Sequence, residues 1–521
     1  MRVLLFNPPF HRLMSLETGN FHLGLGYLAT FLKANGHECI IYDMELPLPN
    51  ESSTEYEVSD NLLDKLSSEH NRYVSAVRDK SNPIWAETKH TITEYRPELV
   101  GITAMSTIFA SALNIASAVK EVLPKCPVVV GGPHATILPN ECLSHDVIDF
   151  VVMGEGERTL FELVESLENR DGRLEEIDGL AFRNNGKSVV NKPRMPEPDI
   201  NRFPYPDRTL LINGDRYRSL DSFGSIITSR GCPFNCGFCG ARSIWGKRVR
   251  FRNVENVIAE ILEVRDKYGV NKFNFWDNTF TVNRRMTVEL CRRLIDNRLD
   301  ITWGCLTRLD RIDEELLRLM KRAGCRRLEI GVESGSQRIL DYIGKEIDKR
   351  EAVEKTRLIK KSGIFLSMFF MIGFPPETEH DIRQTTEFLN ELDPDKVSLS
   401  VFTPYPGTPI YEDARQSELI PEDINWSTLS HQSLTTHFVR DITRDRFREI
   451  VEDTVRLFDK FNSKKALSRD SWRTNLKRNY IQMLDEIEWA KSEGKSARFA
   501  IVKRYAKHLV KATLARVGLW R

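Results

Sequence analysis

The stretch Ser229-Arg-Gly-Cys-Pro-Phe-Asn-Cys-Gly-Phe-Cys-Gly240 constrains the rest of the chain most, because it crowds Cys232, Cys236 and Cys239 into one glycine-rich turn. Thiolates are the usual ligands of iron-sulfur clusters. A four-iron cluster takes one ligand per iron, so a local trio leaves one iron open to another molecule. A closed zinc site needs four ligands. No histidine lies between His145 and His380, and the nearest other cysteines are Cys142 and Cys291, so a zinc knuckle here lacks its last ligand. Inert buried thiols seldom gather with Gly and Pro around them.

The pattern Cys-x3-Cys-x2-Cys, preceded by Thr228-Ser229-Arg230-Gly231 and with Phe238 beside the last cysteine, resembles the signature of the radical S-adenosylmethionine (SAM) enzymes. The resemblance implies a 4Fe-4S cluster on Cys232, Cys236 and Cys239 whose open iron chelates the amino and carboxylate groups of SAM. It also implies reductive cleavage to a 5′-deoxyadenosyl radical, an external one-electron reductant of the flavodoxin or ferredoxin type, and a small-molecule substrate that gives up hydrogen.

At 521 residues the chain is too long for a single core and divides into two to four domains of the usual ~100–200 residues. With 75 basic and 74 acidic residues the net charge is +1, so no global field draws nucleic acid, and no basic, aromatic-interleaved module is appended for it. Nine cysteines with three in the loop do not form a disulfide framework, and a cluster demands a reducing interior, which points to the cytoplasm. Met1-Arg-Val-Leu-Leu-Phe-Asn-Pro-Pro is too short an apolar run for a signal or a span and reads as a strand.

Val3 to Phe6, the helix-patterned Leu23 to Asn35, and Cys39 to Asp43 read as strand, helix, strand. Residues 45–96 are polar and helix-prone and read as an insertion. Alternation resumes at Leu99 to Met105, Ala112 to Val122, Val128 to Gly132, and Phe150 into the helix Thr159 to Leu167, giving a doubly wound parallel sheet. Ligands of such sheets sit beyond the carboxyl ends of the strands, where Ser106-Thr107, Gly131-Gly132-Pro133-His134 and Gly154-Glu155-Gly156-Glu157 fall. Each glycine pair alone is a weak signal.

Together, Leu-Gly-Leu-Gly-Tyr-Leu, Gly-Gly-Pro-His-Ala-Thr and Gly-Glu-Gly-Glu upstream of the cluster loop are similar to the cobalamin-binding domain of the cobalamin-dependent radical SAM subclass. The Asp-x-His-x-x-Gly element of histidine-ligated cobalamin domains is absent, which, with the resemblance, implies a corrinoid without a protein histidine on its lower face, as is usual in this subclass. His134 is therefore not an axial ligand. It either packs in its loop or touches the corrin or its nucleotide tail.

Ile177 to Val190 reads as a hairpin with an Asn-Gly turn, and Pro193 to Pro206 as an extended connector. From Ile226 to Val401, six strand-helix units imply a partial (β/α)6 barrel. The expected organisation is a Rossmann-like cobalamin-binding domain at 1–170, a hairpin and linker at 171–222, the barrel at 223–410, and a helical region at 411–521.

Functional groups of such barrels lie at the carboxyl ends of the strands. Asp277, Arg308, Glu333 and Gly373-Phe-Pro-Pro-Glu-Thr378 occupy them. By resemblance, Asp277 stands where the methionine amino group is contacted, and Glu333-Ser334-Gly335-Ser336 where ribose contacts are made, while Arg308 could pair with a carboxylate. Helix capping and mouth salt bridges are the alternatives for the carboxylates. Pro376 replaces the glycine more often seen in the Gly-x-Pro-Gly-Glu-Thr form. Cys291, Cys305 and Cys325 read as buried thiols, with Cys305 nearest a strand end.

Residues 495–521 carry eight Lys and Arg, no acid, and apolar residues at helical spacing. Such a helix can lie on an anionic membrane surface, peripheral at its inner face, or dock on the barrel. The membrane reading would favour a lipid, isoprenoid or other poorly soluble substrate. Beyond that, the resemblance implies methylation of an unactivated carbon, with methylcobalamin delivering the methyl group. Oxidation, cyclisation or ring contraction with the same cofactors is the alternative, and a corrinoid- or cluster-binding sensor is the non-enzyme one.

Overall fold

The computed structural model describes residues 1–466 apart from 17–19, 49–61, 218–219, 432 and 434–435. The basic segment 495–521 lies outside the described residues.

Seven strands form the first sheet: β1 (Arg2–Asn7), β2 (Glu38–Asp43), β3 (Leu99–Thr103), β4 (Val128–Gly131), β5 (Phe150–Val152), β6 (Leu180–Asn184) and β7 (Lys187–Val190), in the order β2-β1-β3-β4-β5-β6-β7. β1 to β5 are parallel. Their near-continuous apolar runs follow from burial on both faces. Val3 and Leu5 of β1 pack toward the helices Leu23–Ala34 and Gly156–Asn169. Leu4 and Phe6 pack toward Pro83–Tyr95 and Phe109–Val122 on the other face.

Two features depart from the expected layout. In the stretch read as an insertion, the helix Pro83–Tyr95 is itself the crossover from β2 to β3, capped by Asn82 and packed on Phe109–Val122. The hairpin read as a boundary marker instead extends the first sheet. β6 pairs antiparallel with β5, and Asn185 and Gly186 take φ of 50° and 78° in the turn.

A short ribbon, β9 (Ser229–Arg230) with β10 (Arg250–Phe251), brackets the cysteine loop. It follows β8 (Ser225–Ile226), the first strand of the second sheet. That sheet continues through β11 (Lys272–Phe275), β12 (Thr302–Thr307), β13 (Cys325–Glu333), β14 (Phe365–Ile372) and β15 (Lys396–Val401), all parallel and in chain order. Five of the helices linking these strands begin on side-chain caps that the sequence supplies, Asn253, Asn283, Asp313, Asp348 and Thr378. This is the partial (β/α)6 barrel.

One apolar cluster runs from Val3 and Leu5 through Leu210, Leu211 and Phe223 to Phe273 and Phe275, so both sheets share a core. The helix Arg444–Ala466 closes the barrel with Phe447 and Val451 against Ile372, and Phe458 lies 5.6 Å from Phe370. No helix among the described residues is long and apolar enough to cross a membrane.

Candidate active site

The cysteine loop is held at its entry and its centre. Gly231 takes φ +105°, and a β-carbon there would collide with the Arg248 carbonyl, so only glycine turns the chain from β9 into the loop. The Gly237 N–H donates to the Ile343 carbonyl at 2.8 Å, and the Ile410 N–H donates to the Gly237 carbonyl at 3.1 Å. Cys239 N–H closes a turn on the Cys236 carbonyl at 3.1 Å.

The three thiols form no disulfide and lie close enough to influence one another. Burial pushes the Cys236 thiol up, Lys345 and then Arg308 pull it down, and Glu333 and Cys232 push it up again. Desolvation, and after it Cys236 and Cys232, raise Cys239. The remaining six cysteines are buried elsewhere, Cys291, Cys305 and Cys325 among them. Three free thiols in one loop that carries no fourth Cys or His fit a cluster with one open iron and do not fit closed zinc.

The residues at the barrel mouth are more heavily engaged than the sequence suggested. Asp277, 1% exposed, accepts from the Thr228 N–H at 3.1 Å, the Thr228 hydroxyl at 2.8 Å and the Ser229 hydroxyl at 2.5 Å. Burial raises its carboxyl against these bonds. Its side chain therefore fixes the strand leading to Cys232 and does not face an open space. Arg308 lies 3.9 Å over the Phe234 ring, pairs with Asp310 at 2.9 Å, and reaches Cys236 Sγ at 4.0 Å.

Glu333 pairs with Lys345 at 2.7 Å. Ser334 is fully buried on Thr385, the Gly335 N–H donates to the Thr385 hydroxyl at 3.0 Å, and Ser336 bonds Asp381, so this turn is packed on the helix Glu379–Leu392. Gly373 (φ +95°) and Phe374 donate their N–H groups to Oε2 of the buried Glu377 carboxyl group. Phe238, Phe374 and Phe402 form an apolar wall, with ring separations of 6.0 and 5.1 Å. Lys345 was not anticipated; its only sequence signal is the Gly344-Lys345 pair that follows the short helix Gln337–Tyr342.

At the first sheet, Gly132 takes φ +98°, and a β-carbon there would lie 2.8 Å from the Ala104 carbonyl oxygen. His134 is fully buried. Its Nδ1 lies 3.1 Å from the Ser106 hydroxyl, and its ring is 4.1 Å from Phe109 and 5.8 Å from Trp426. Burial lowers its pKa to about 4, so the ring is neutral. Of the two readings of His134, the structure has the ring packed in its loop and enclosed by protein, and the partly open surface there belongs to Gly131, Gly132 and Pro133. Thr107 offers its carbonyl to the Tyr73 hydroxyl at 2.9 Å. Beside it Met105, 53% exposed, stands at the point where the strand order reverses between β1 and β3, where sheets of this order bind ligands.

Glu155 is ion-paired in this structure. Its carboxylate bonds Arg250 and approaches Arg230 at 3.5 Å, while Glu157 meets Arg230 at 2.5 Å. These acids tie the first sheet to the ribbon before the cysteines. Gly154 is exposed, with open space where a β-carbon would stand, and Gly156 lies against Leu28. The helix Pro133–Ile137 that follows Gly132 packs on Ala241–Trp245, the helix that follows Cys239. The glycine loops and the cysteine loop thus face each other.

Two family models match: a B12 binding domain over residues 69–164, and the radical SAM superfamily over residues 226–389. The chain is 37% identical over 340 residues to an uncharacterized methyltransferase of Pyrococcus horikoshii, covering 64% of this chain and 73% of that one. It is 29% identical over 403 residues to the anaerobic magnesium-protoporphyrin IX monomethyl ester cyclase of Cereibacter sphaeroides, covering 75% and 64%. Its fold is similar to that of the radical SAM methyltransferase TsrM from Kitasatospora setae, at a TM-score of 0.62 and 21% identity over 80% of this chain and 78% of that one. The chain belongs to the radical SAM superfamily, in the group that carries a B12-binding domain. It is accordingly an enzyme whose cofactors are a 4Fe-4S cluster, SAM and cobalamin.

Proposed function

We propose that the protein methylates an unactivated carbon of a small-molecule substrate. The observation that carries this reading is the contact between Pro133–Ile137 and Ala241–Trp245, which sets the glycine-lined end of the first sheet against the cysteine loop. When bound, the cluster and SAM supply radical chemistry and cobalamin supplies a transferable methyl group.

The chain's own contribution is placement and exclusion of water. Cys232, Cys236 and Cys239 offer thiolates for three irons. Gly131, Gly132, Pro133 and Gly154 let backbone approach a corrin, with Met105 exposed at the same end. Glu333 and the Gly373 turn hold the SAM side of the mouth, and the Phe238, Phe374 and Phe402 wall keeps it dry. Asp277 fixes Thr228 and Ser229 so that the loop starts in one position. An external one-electron donor of the flavodoxin or ferredoxin type completes the scheme. A poorly soluble substrate and a peripheral membrane contact rest on residues 495–521.

The similarity to the cyclase favours one alternative, radical oxidation or ring closure without methyl transfer. Anaerobically reconstituted protein given SAM with an isotopically labelled methyl group and candidate substrates separates the two. Label on a product carbon supports the proposal. Consumption of SAM and substrate with no label in product replaces it with the alternative.

A further inference from the structure

Glu333 has φ of 73°, a backbone conformation that residues with a β-carbon seldom adopt, at a break in the register between β13 and β14. Such conformations persist where the surroundings over-determine them, and they cluster at functional sites. Here the turn aims the carboxylate at Lys345 Nζ, 2.7 Å away, with both side chains only 9% exposed. Gly331 leaves the room: a β-carbon there would collide with the Glu333 carboxylate and lie 3.0 Å from Lys345 Nζ.

Lys345 is fixed to the cysteine loop. Arg308 Nη2 donates to its carbonyl at 2.8 Å, and two residues earlier the Ile343 carbonyl accepts from Gly237. Its ammonium lies 5.9 Å from the ring of Phe238, the residue beside Cys239. The second cation at the loop, Arg308, is already matched by Asp310. A buried ion pair loses much of its attraction to desolvation, so stability alone does not account for a strained carboxylate holding a buried lysine at this place.

We propose that the Glu333–Lys345 pair sets the reduction potential of the cluster held by Cys232, Cys236 and Cys239; this rests on the proposed cluster site. On reduction the cluster takes one electron from a low-potential donor, dithionite in the test, and gains one negative charge without a proton. Cluster potentials respond to local charge and exposure, and a charge acts strongly across a few ångströms of dry protein. Lys345 favours the reduced state, and Glu333 opposes it.

The two single variants must therefore shift in opposite directions. In the full chain, reconstituted anaerobically without SAM or substrate, Lys345→Met makes the cluster at least about tenfold harder to reduce, about 59 mV more negative for one electron. Glu333→Gln moves the potential positive by a similar amount, and the double variant returns close to wild type. Iron and sulfide contents with Mössbauer spectra establish the cluster, and electron paramagnetic resonance during a redox titration reads the potential.

Shifts of the same sign, or none, in variants that keep their iron overturn the proposal. If Lys345→Met does not fold, Glu333→Gln decides alone: a positive shift supports the pair's role, and a zero or negative shift removes it. A Glu333 that served only SAM would leave a potential measured without SAM unmoved. Wild-type protein without a cubane would remove the proposed function itself, whereas an intact cubane with unmoved potentials removes only this inference.

Discussion

Glu157 meets Arg230 at 2.5 Å across the junction of the two sheets, with each side chain 5% exposed. The guanidinium also lies 4.8 Å from the ring of Tyr27 and 5.1 Å from that of Phe203. Removing one partner of a buried pair and leaving the other charge without compensation costs about 3–5 kcal/mol; Glu155, 3.5 Å from the same guanidinium, keeps part of the compensation, so the loss here falls below that range. Glu157→Gln should lower the unfolding midpoint accordingly and loosen the strand before Cys232, so that less iron is retained. The double variant Glu157→Gln with Arg230→Met should recover most of that stability in a denaturant titration.

Alanine at Cys232, Cys236 or Cys239 should abolish the broad absorbance of the reconstituted cluster. Cys305→Ala should leave it intact. Burial, and then the neighbouring Cys325, push the Cys305 thiol well above its usual range, which marks it as an inert core group. Its loss should cost about 1 kcal/mol, as for one buried methyl-sized group. Iron content per chain checks both statements.

Gly132 and Gly154 both have positive φ, +98° and +72°, but their surroundings differ. Alanine at 132 meets the Ala104 backbone at 2.8 and 3.0 Å, whereas at 154 nothing lies within 4 Å. Gly132→Ala should cost about 1–3 kcal/mol and displace the loop, so that less cobalamin survives desalting. Gly154→Ala should cost about 1 kcal/mol and retain more cobalamin. Corrinoid absorbance after gel filtration reads the difference.

Glu377 is fully buried, its Oε1 has no hydrogen-bond partner among the described residues, and burial raises its pKa from 4.5 to about 8. Between those values the folded chain keeps a proton that the unfolded chain releases. The stability this proton confers is therefore complete below about pH 4.5 and is lost as pH rises toward 8, by up to about 1.4 kcal/mol per unit. Glu377→Gln imitates the protonated acid and does not titrate. Its melting temperature relative to wild type should rise between pH 5 and pH 9.

The alternating architecture was legible because parallel strands buried on both faces are written as apolar runs such as Val128-Val-Val, and because Asn253, Asn283, Asp313, Asp348 and Thr378 announce their helices. The hairpin was legible from Asn185-Gly186, but no local pattern says which strand it joins, and its docking on β5 was not foreseen. Charged residues at the site were read least well. A carboxylate at a strand end looks the same whether it awaits a ligand or a distant arginine. Glu155 finds Arg250, Glu157 finds Arg230 and Glu333 finds Lys345 only once the chain has folded. Asp277 likewise turned inward to Thr228 and Ser229, because the preceding strand brings those donors alongside β11.

Having finished β15, the chain crosses back to the first sheet, where Trp426 donates its indole N–H to Glu141 at 2.7 Å and sets its ring beside His134. The half that matches the B12 binding domain is thus covered at His134 by a segment encoded after the half that carries the cysteines. Recombination at the proline-rich connector would transplant an unfinished module, so a chimera that borrows this N-terminal unit has to inherit its distal tryptophan turn as well.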